Sequence, residues 1–146
     1  MPSRRDFIQA SAIGILASLT GCSAIRLPRP KMDFSVENFR NETIRLGVRF
    51  FRPNVTERSE ALVYRNQFEI PPRENADGPW TVEDVAPDRP YRIEIEVGDT
   101  WNSHHYHYQP DCSDNEPYEI GVLVTLYAGG GVRFTQTTCS SDSLFL

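Results

Sequence analysis

Tyr91-Arg92-Ile93-Glu94-Ile95-Glu96-Val97 sets one apolar side chain against one charged side chain for most of its length. In an extended chain successive side chains point to opposite faces. Ile93, Ile95 and Val97 then line one face and Arg92, Glu94 and Glu96 the other. Such a segment is a β-strand with one face buried and one face wet. The pattern recurs upstream. Ile44, Leu46, Val48 and Phe50 alternate with Arg45, Gly47 and Arg49, and Met32, Phe34 and Val36 alternate with Asp33, Ser35 and Glu37. Less regular strands are expected at Leu62 to Ile70, Trp80 to Val85, His104 to Tyr108, Tyr118 to Tyr127 and Val132 to Thr137. Turn-forming pieces separate them: Arg52-Pro53-Asn54, Pro71-Pro72, Asp77-Gly78-Pro79, Pro87-Asp88-Arg89-Pro90 and Pro110-Asp111. Gly129-Gly130-Gly131 reads as a hairpin turn. No stretch carries a run at helical spacing. The expected fold is all-β, an antiparallel β-sandwich of about seven or eight strands. An up-and-down barrel is the alternative.

The amino terminus has a different character. Ser3-Arg4-Arg5-Asp6-Phe7-Ile8-Gln9 precedes a largely apolar run from Ala10 to Leu19, which ends in Leu19-Thr20-Gly21-Cys22. Paired arginines before Phe7 are the charged start of a twin-arginine export signal. A run of about ten residues is too short to cross a bilayer core of roughly 30 Å as a helix, but it suits a signal peptide. Leu-Thr-Gly-Cys looks like a lipobox, the site at which a precursor is lipidated on cysteine and cut just before it. Residues 1–21 are therefore expected to be a signal peptide and residues 22–30, with Pro28 and Pro30, a short tether. Residues 31–146 form the domain. The expected address is the outer face of the cell membrane, held by lipid on Cys22.

The chain has 146 residues and a formal charge of −5. Cutting before Cys22 removes Arg4, Arg5 and Asp6, which leaves 13 basic and 19 acidic residues and a net charge of −6. An acidic chain lacks the electrostatic footprint of a nucleic-acid binder, and it is not drawn to an anionic membrane surface by charge. The membrane link has to be the lipid. All but one of the basic residues are arginine, Lys31 being the exception. With Cys22 taken by lipid, Cys112 and Cys139 are an even pair in an oxidising compartment and read as a disulfide. Metal thiolates are the rival reading, without a Cys-x-x-Cys spacing to favour them.

The export signal and the cysteine after it resemble those of the small twin-arginine lipoproteins abundant in haloarchaea. The acidic, lysine-poor composition agrees, although a GC-rich bacterial source would also favour arginine. More loosely, Val82-Glu83-Asp84-Val85 followed by Tyr91 to Val97 resembles the immunoglobulin-like sandwiches displayed on many such proteins. The resemblance implies surface display and an immunoglobulin-like fold. It implies no chemistry.

One cluster stands out. Trp101-Asn102-Ser103-His104-His105-Tyr106-His107-Tyr108 holds all three histidines of the chain. On a strand, His105 and His107 share a face at a spacing able to hold one metal, zinc or copper, with Asp99, Asp111 or Glu116 as a third ligand. The plainer reading turns Tyr106 and Tyr108 inward and leaves His105 and His107 in solvent. Glu83, Asp84, Glu94 and Glu96 read as solvated faces. There is no Gly-x-Ser-x-Gly elbow, and no serine or cysteine is marked as a nucleophile. Nor does a lysine and helix follow the glycine turn to cradle phosphate. Asn41-Glu42-Thr43 and Asn54-Val55-Thr56 match the N-glycosylation sequon. Exposed aromatics could stack on a sugar or a partner protein.

The expectation is a non-enzymatic, lipid-anchored surface module that binds or builds. Its partners would be the membrane, through Cys22, and an envelope protein or glycan. It is expected to carry no cofactor; a metal on the His104 to His107 cluster is the alternative. A hydrolase acting on envelope polymers is a third reading, and it lacks a nucleophile.

Overall fold

A computed structural model describes residues 30–100, 102–110 and 121–136 of the chain. The alternating segments all become strands: β1 (Lys31–Asn38), β2 (Ile44–Phe51), β3 (Leu62–Ile70), β4 (Trp80–Pro87), β5 (Tyr91–Val97), β6 (Ser103–Tyr108), β7 (Gly121–Leu126) and β8 (Val132–Gln136). They form two four-stranded sheets, β4-β1-β7-β8 and β3-β2-β5-β6, stacked as a sandwich. Met32, Phe34 and Val36 of the first sheet meet Leu46, Val48, Phe50, Ile93 and Ile95 of the second, and all are fully buried. This is the half-buried alternation of the sequence made physical: each strand turns its apolar row toward the other sheet.

Aromatic pairs close the sandwich along both sides. Phe68 of β3 meets Trp80 of β4 at 4.6 Å between ring centroids. On the other side Tyr106 of β6 stacks on Phe134 of β8 at 5.3 Å, with rings only 7° from parallel. At the centre Phe34 and Phe50 pack edge to face across the sheets at 6.0 Å. Such pairs add directional preference to simple burial.

One pairing departs from the antiparallel expectation. β1 and β7 run parallel, from Asp33 beside Gly121 to Asn38 beside Leu126. β1 is thereby the central link of its sheet, antiparallel to β4 on its other edge. That β1–β4 ladder carries a bulge between Met32 and Phe34. Opposite it, Asp84 takes φ 56° and its backbone N–H donates to Asp33 Oδ1 at 2.9 Å. The bulge interrupts β4, an edge strand, and blunts it against pairing with other chains.

Two short helical pieces interrupt the loops, α1 (Arg58–Ala61) and a 3-10 turn at Arg73–Asn75. A segment of one turn has no room to show a 3.6-residue period, so neither is legible in the pattern of residues.

The strand directions separate two poles. The chain enters at Pro30, whose carbonyl accepts the Asp88 N–H at 2.8 Å. β1 then runs from this tether pole to the far pole, a rise of about 26 Å at the strand repeat. Loops 39–43, 71–79, 98–100 and 127–131 gather at the far pole. Loops 52–61 and 88–90 lie at the tether pole, as do the ends of β6 and β8. Asn38 ties the far pole together from inside. It is 1 % exposed, and its Nδ2 donates to the carbonyls of Glu42 and Ile70 while its Oδ1 accepts the Arg40 N–H.

Candidate functional site

The histidine strand is β6. His105 and His107 project from the outer face of the second sheet, both exposed, with ring centroids 5.9 Å apart. His104 points the other way and is half-buried, and Tyr108 is buried. The shared face is therefore as the alternation requires. A third ligand is another matter. Asp99 is at the far pole, 3.3 Å from Arg45, and its side chain is almost fully in solvent. Asp111 and Glu116 lie outside the described residues, as do Trp101, Cys22, Cys112 and Cys139. The carboxylate nearest in register to His105 is its cross-strand partner Glu94.

Glu94 is not the solvated group that its place in the alternation suggests; it is only 5 % exposed. Arg58 of α1 reaches over and donates to both its oxygens, at 3.3 and 2.5 Å. Arg92 stands 3.1 Å away and Arg49 3.8 Å, while Arg49 also pairs with Glu96. The Arg58 guanidinium lies 4.4 Å over the Phe51 ring. Hydrogen bonds from cations occupy this carboxylate, which leaves it poorly placed to serve a metal. Among the described residues, no group of three or more His, Cys, Asp or Glu is assembled to hold a metal ion.

The larger concavity is elsewhere, at the far pole. A cleft of about 710 Å³ opens there among loops 39–43, 98–100 and 127–131, Asn102 and the adjoining ends of β2, β3 and β5. Its chemistry is mixed. Arg40, Arg45 and Asn102 supply donors, and Glu42, Glu69 and Asp99 supply acceptors. Arg45 and Asp99 face each other across it, and His104 contributes to its wall. Arg40 also donates through Nε to the Tyr127 carbonyl at 3.3 Å. Beyond that bond stand Phe39 and Tyr127, stacked at 6.4 Å and 13°, and both exposed. No sequence motif announced this arrangement, because its residues come from three loops far apart in the chain.

A second groove, about 430 Å³ and more apolar, lies at the tether pole between Pro53, Leu62, Val63, Pro90 and Tyr91. The two sequon asparagines are both exposed, Asn41 in the loop after β1 and Asn54 in the loop after β2. Among the described residues no helix is long and apolar enough to cross a membrane. The cleft is lined by charges of both signs, of which Arg45 and Asp99 form an ion pair. Comparisons with protein families, curated proteins and solved structures find no match to the chain.

Proposed function

We propose that the chain is a lipid-anchored binding module of the outer cell surface, held by Cys22 and presenting the cleft at its far pole. The observation that carries this reading is the separation of the two poles. The tether arrives where Pro30 meets Asp88, and the cleft opens at the other end of β1. The nine residues from Cys22 to Pro30 span at most about 30 Å when extended. A domain anchored in this way would stand with its tether pole toward the bilayer and the cleft outward. The twin-arginine signal and the lipobox-like Leu19-Thr20-Gly21-Cys22 supply the route and the anchor. The immunoglobulin-like resemblance fits this reading, since display is what such sandwiches commonly do.

Cys22→Ser tests it. The variant is expected to leave the membrane fraction and appear in the medium with an unchanged melting temperature. The unaltered chain should be removed from intact cells by added protease. If Cys22→Ser stays with the membrane, the anchor is not on Cys22. If protease spares the unaltered chain on intact cells, display outside is wrong.

A disulfide between Cys112 and Cys139 belongs to the same reading. Gln109 N–H donates to Gln136 Oε1 at 3.2 Å, and Gln136 Nε2 donates back to the Gln109 carbonyl. Gln109 and Gln136 are thus side by side, each three residues ahead of a cysteine. Closing that loop stabilises by about 3–4 kcal/mol in the chain-entropy account. Cys112→Ser is expected to lower the melting temperature of the oxidised protein by about 10–20 °C, and adding reductant to the unaltered chain should reproduce the loss. Equal melts for the two oxidised proteins would show that the pair is not bonded.

A further inference from the structure

Phe39 and Tyr127 are set where sandwich packing does not need them. Among the described residues the exposed large apolar side chains are Phe39, Val63 and Tyr127, at 47 %, 40 % and 42 %. Two of these three stand together at the far pole with rings nearly parallel. Phe39 continues β1 past its last buried residue, and its N–H still bonds the Leu126 carbonyl. Tyr127 opens the turn that Tyr127 N–H closes on the Gly131 carbonyl and Gly130 N–H closes on the Tyr127 carbonyl. Both backbones are fixed, and the stacked rings leave apolar aromatic surface in water. The turn's own residues, Gly129, Gly130 and Gly131, carry no side chains to cover them.

Beside this surface lies a cleft of the opposite character. The two features meet at Arg40, which lines the cleft and bonds the Tyr127 backbone. A ligand that spans both must present a flat apolar patch and, close by, several hydroxyl-like groups that both donate and accept. It must also be nearly uncharged. The cleft sets Arg40 and Arg45 against Glu42, Glu69 and Asp99, and Arg45 is already paired with Asp99. A strongly anionic or cationic ligand would gain little there and would leave one sign of charge uncompensated. A pyranose ring meets each condition: one face is a sheet of C–H groups, and its edge is a row of hydroxyls.

We infer that the far pole is a carbohydrate site, which takes a neutral glycan with one pyranose packed against the exposed side of the Phe39–Tyr127 pair and the next sugars hydrogen-bonded in the cleft. The inference rests on the reading of the chain as a displayed binding module and names the ligand class of that module. Burial of the two rings supplies the apolar part of the affinity. The carboxylates and guanidiniums of the cleft fix register by hydrogen bonds to adjacent hydroxyls. Because the backbone of the pole is already tied by Asn38 and by the Tyr127 turn, little ordering is left to oppose binding.

The purified chain should be titrated by calorimetry with neutral pentasaccharides of glucose, mannose, galactose and N-acetylglucosamine, and with a uronic-acid pentasaccharide. At least one neutral sugar is expected to bind with a Kd of about 1 mM or tighter. The double variant Phe39→Ala/Tyr127→Ala should bind that sugar about tenfold more weakly or worse, the loss that an aromatic anchor carries. Both rings are exposed, so its melting temperature should hardly move; Tyr127→Trp should keep binding. The inference falls if none of the neutral sugars binds, if only the uronic acid binds, or if the double variant binds as well as the unaltered chain. Those failures would leave membrane release by Cys22→Ser and protease access on cells as they are. Display could equally fail on cells while the calorimeter still registered sugar.

Discussion

Phe50→Ala is expected to lower the stability of the domain by about 3–5 kcal/mol, the cost of an aromatic ring lost from a close-packed core. Phe50 is fully buried and touches Phe34 at 6.0 Å, Tyr64 at 5.4 Å and Tyr91 at 5.6 Å between ring centroids. It is therefore the junction of both sheets, and its neighbours are rings that cannot collapse into the gap as flexible aliphatic chains would. For a domain of this size the melting temperature should fall on the order of 10–25 °C. Phe50→Leu keeps much of the volume and should cost well under half as much. Thermal melts of the three proteins check this. Equal losses for alanine and leucine would mean that the ring contacts, not the buried volume, set the value.

Gly121→Ala should also be a large loss, about 3 kcal/mol, although it adds only a methyl group. A Cβ built at Gly121 would lie 2.5 Å from the Asp33 carbonyl oxygen and 3.1 Å from its carbon. Those atoms are backbone and cannot step aside unless β1 and β7 move apart. The strands are the only hydrogen-bonded join between the β4-β1 and β7-β8 halves of their sheet. Gly47→Ala provides the contrast. There the added Cβ would meet Glu96 at an ordinary 3.6 Å, so the change should stay within about 0.5 kcal/mol. Urea unfolding of both variants separates the cases. A mild Gly121→Ala would mean that the parallel pair tolerates a wider spacing than drawn here.

The sequence was most readable where one residue's surroundings decide its orientation. Ile93, Ile95, Val48 and Phe50 announced strands because each alternation faces one core, and all are buried as expected. Pairing partners were not readable. The period of β1 is the same whether its neighbour runs parallel or antiparallel, and only the structure shows β7 beside it. Glu94 marks a second limit. Alternation assigns it correctly to the outer face, but α1 brings Arg58 over that face and buries it. The cleft could not be read either. Arg40, Asp99 and Gly130 acquire a common purpose only when three loops meet at one end of the sandwich. The exposure of Asn41 and Asn54 was legible, since a polar residue in a turn needs no partner to stay there.

The position of β1 also orders the birth of the protein. β2, β3, β5 and β6 can complete their sheet once residue 108 has been made, but β1 waits for Gly121–Leu126 before its second edge is paired. A strand that must find a partner some ninety residues later is slow to settle, because its loop has to close before any contact rewards it. Until then a row of unpaired N–H and C=O groups stays open next to Met32, Phe34 and Val36, the kind of edge on which unfinished chains stick to each other. On the proposed route, a transporter that accepts only finished proteins would receive this one late, after the ribosome has passed nearly the whole message. A chain cut short before β7 should be found in aggregates.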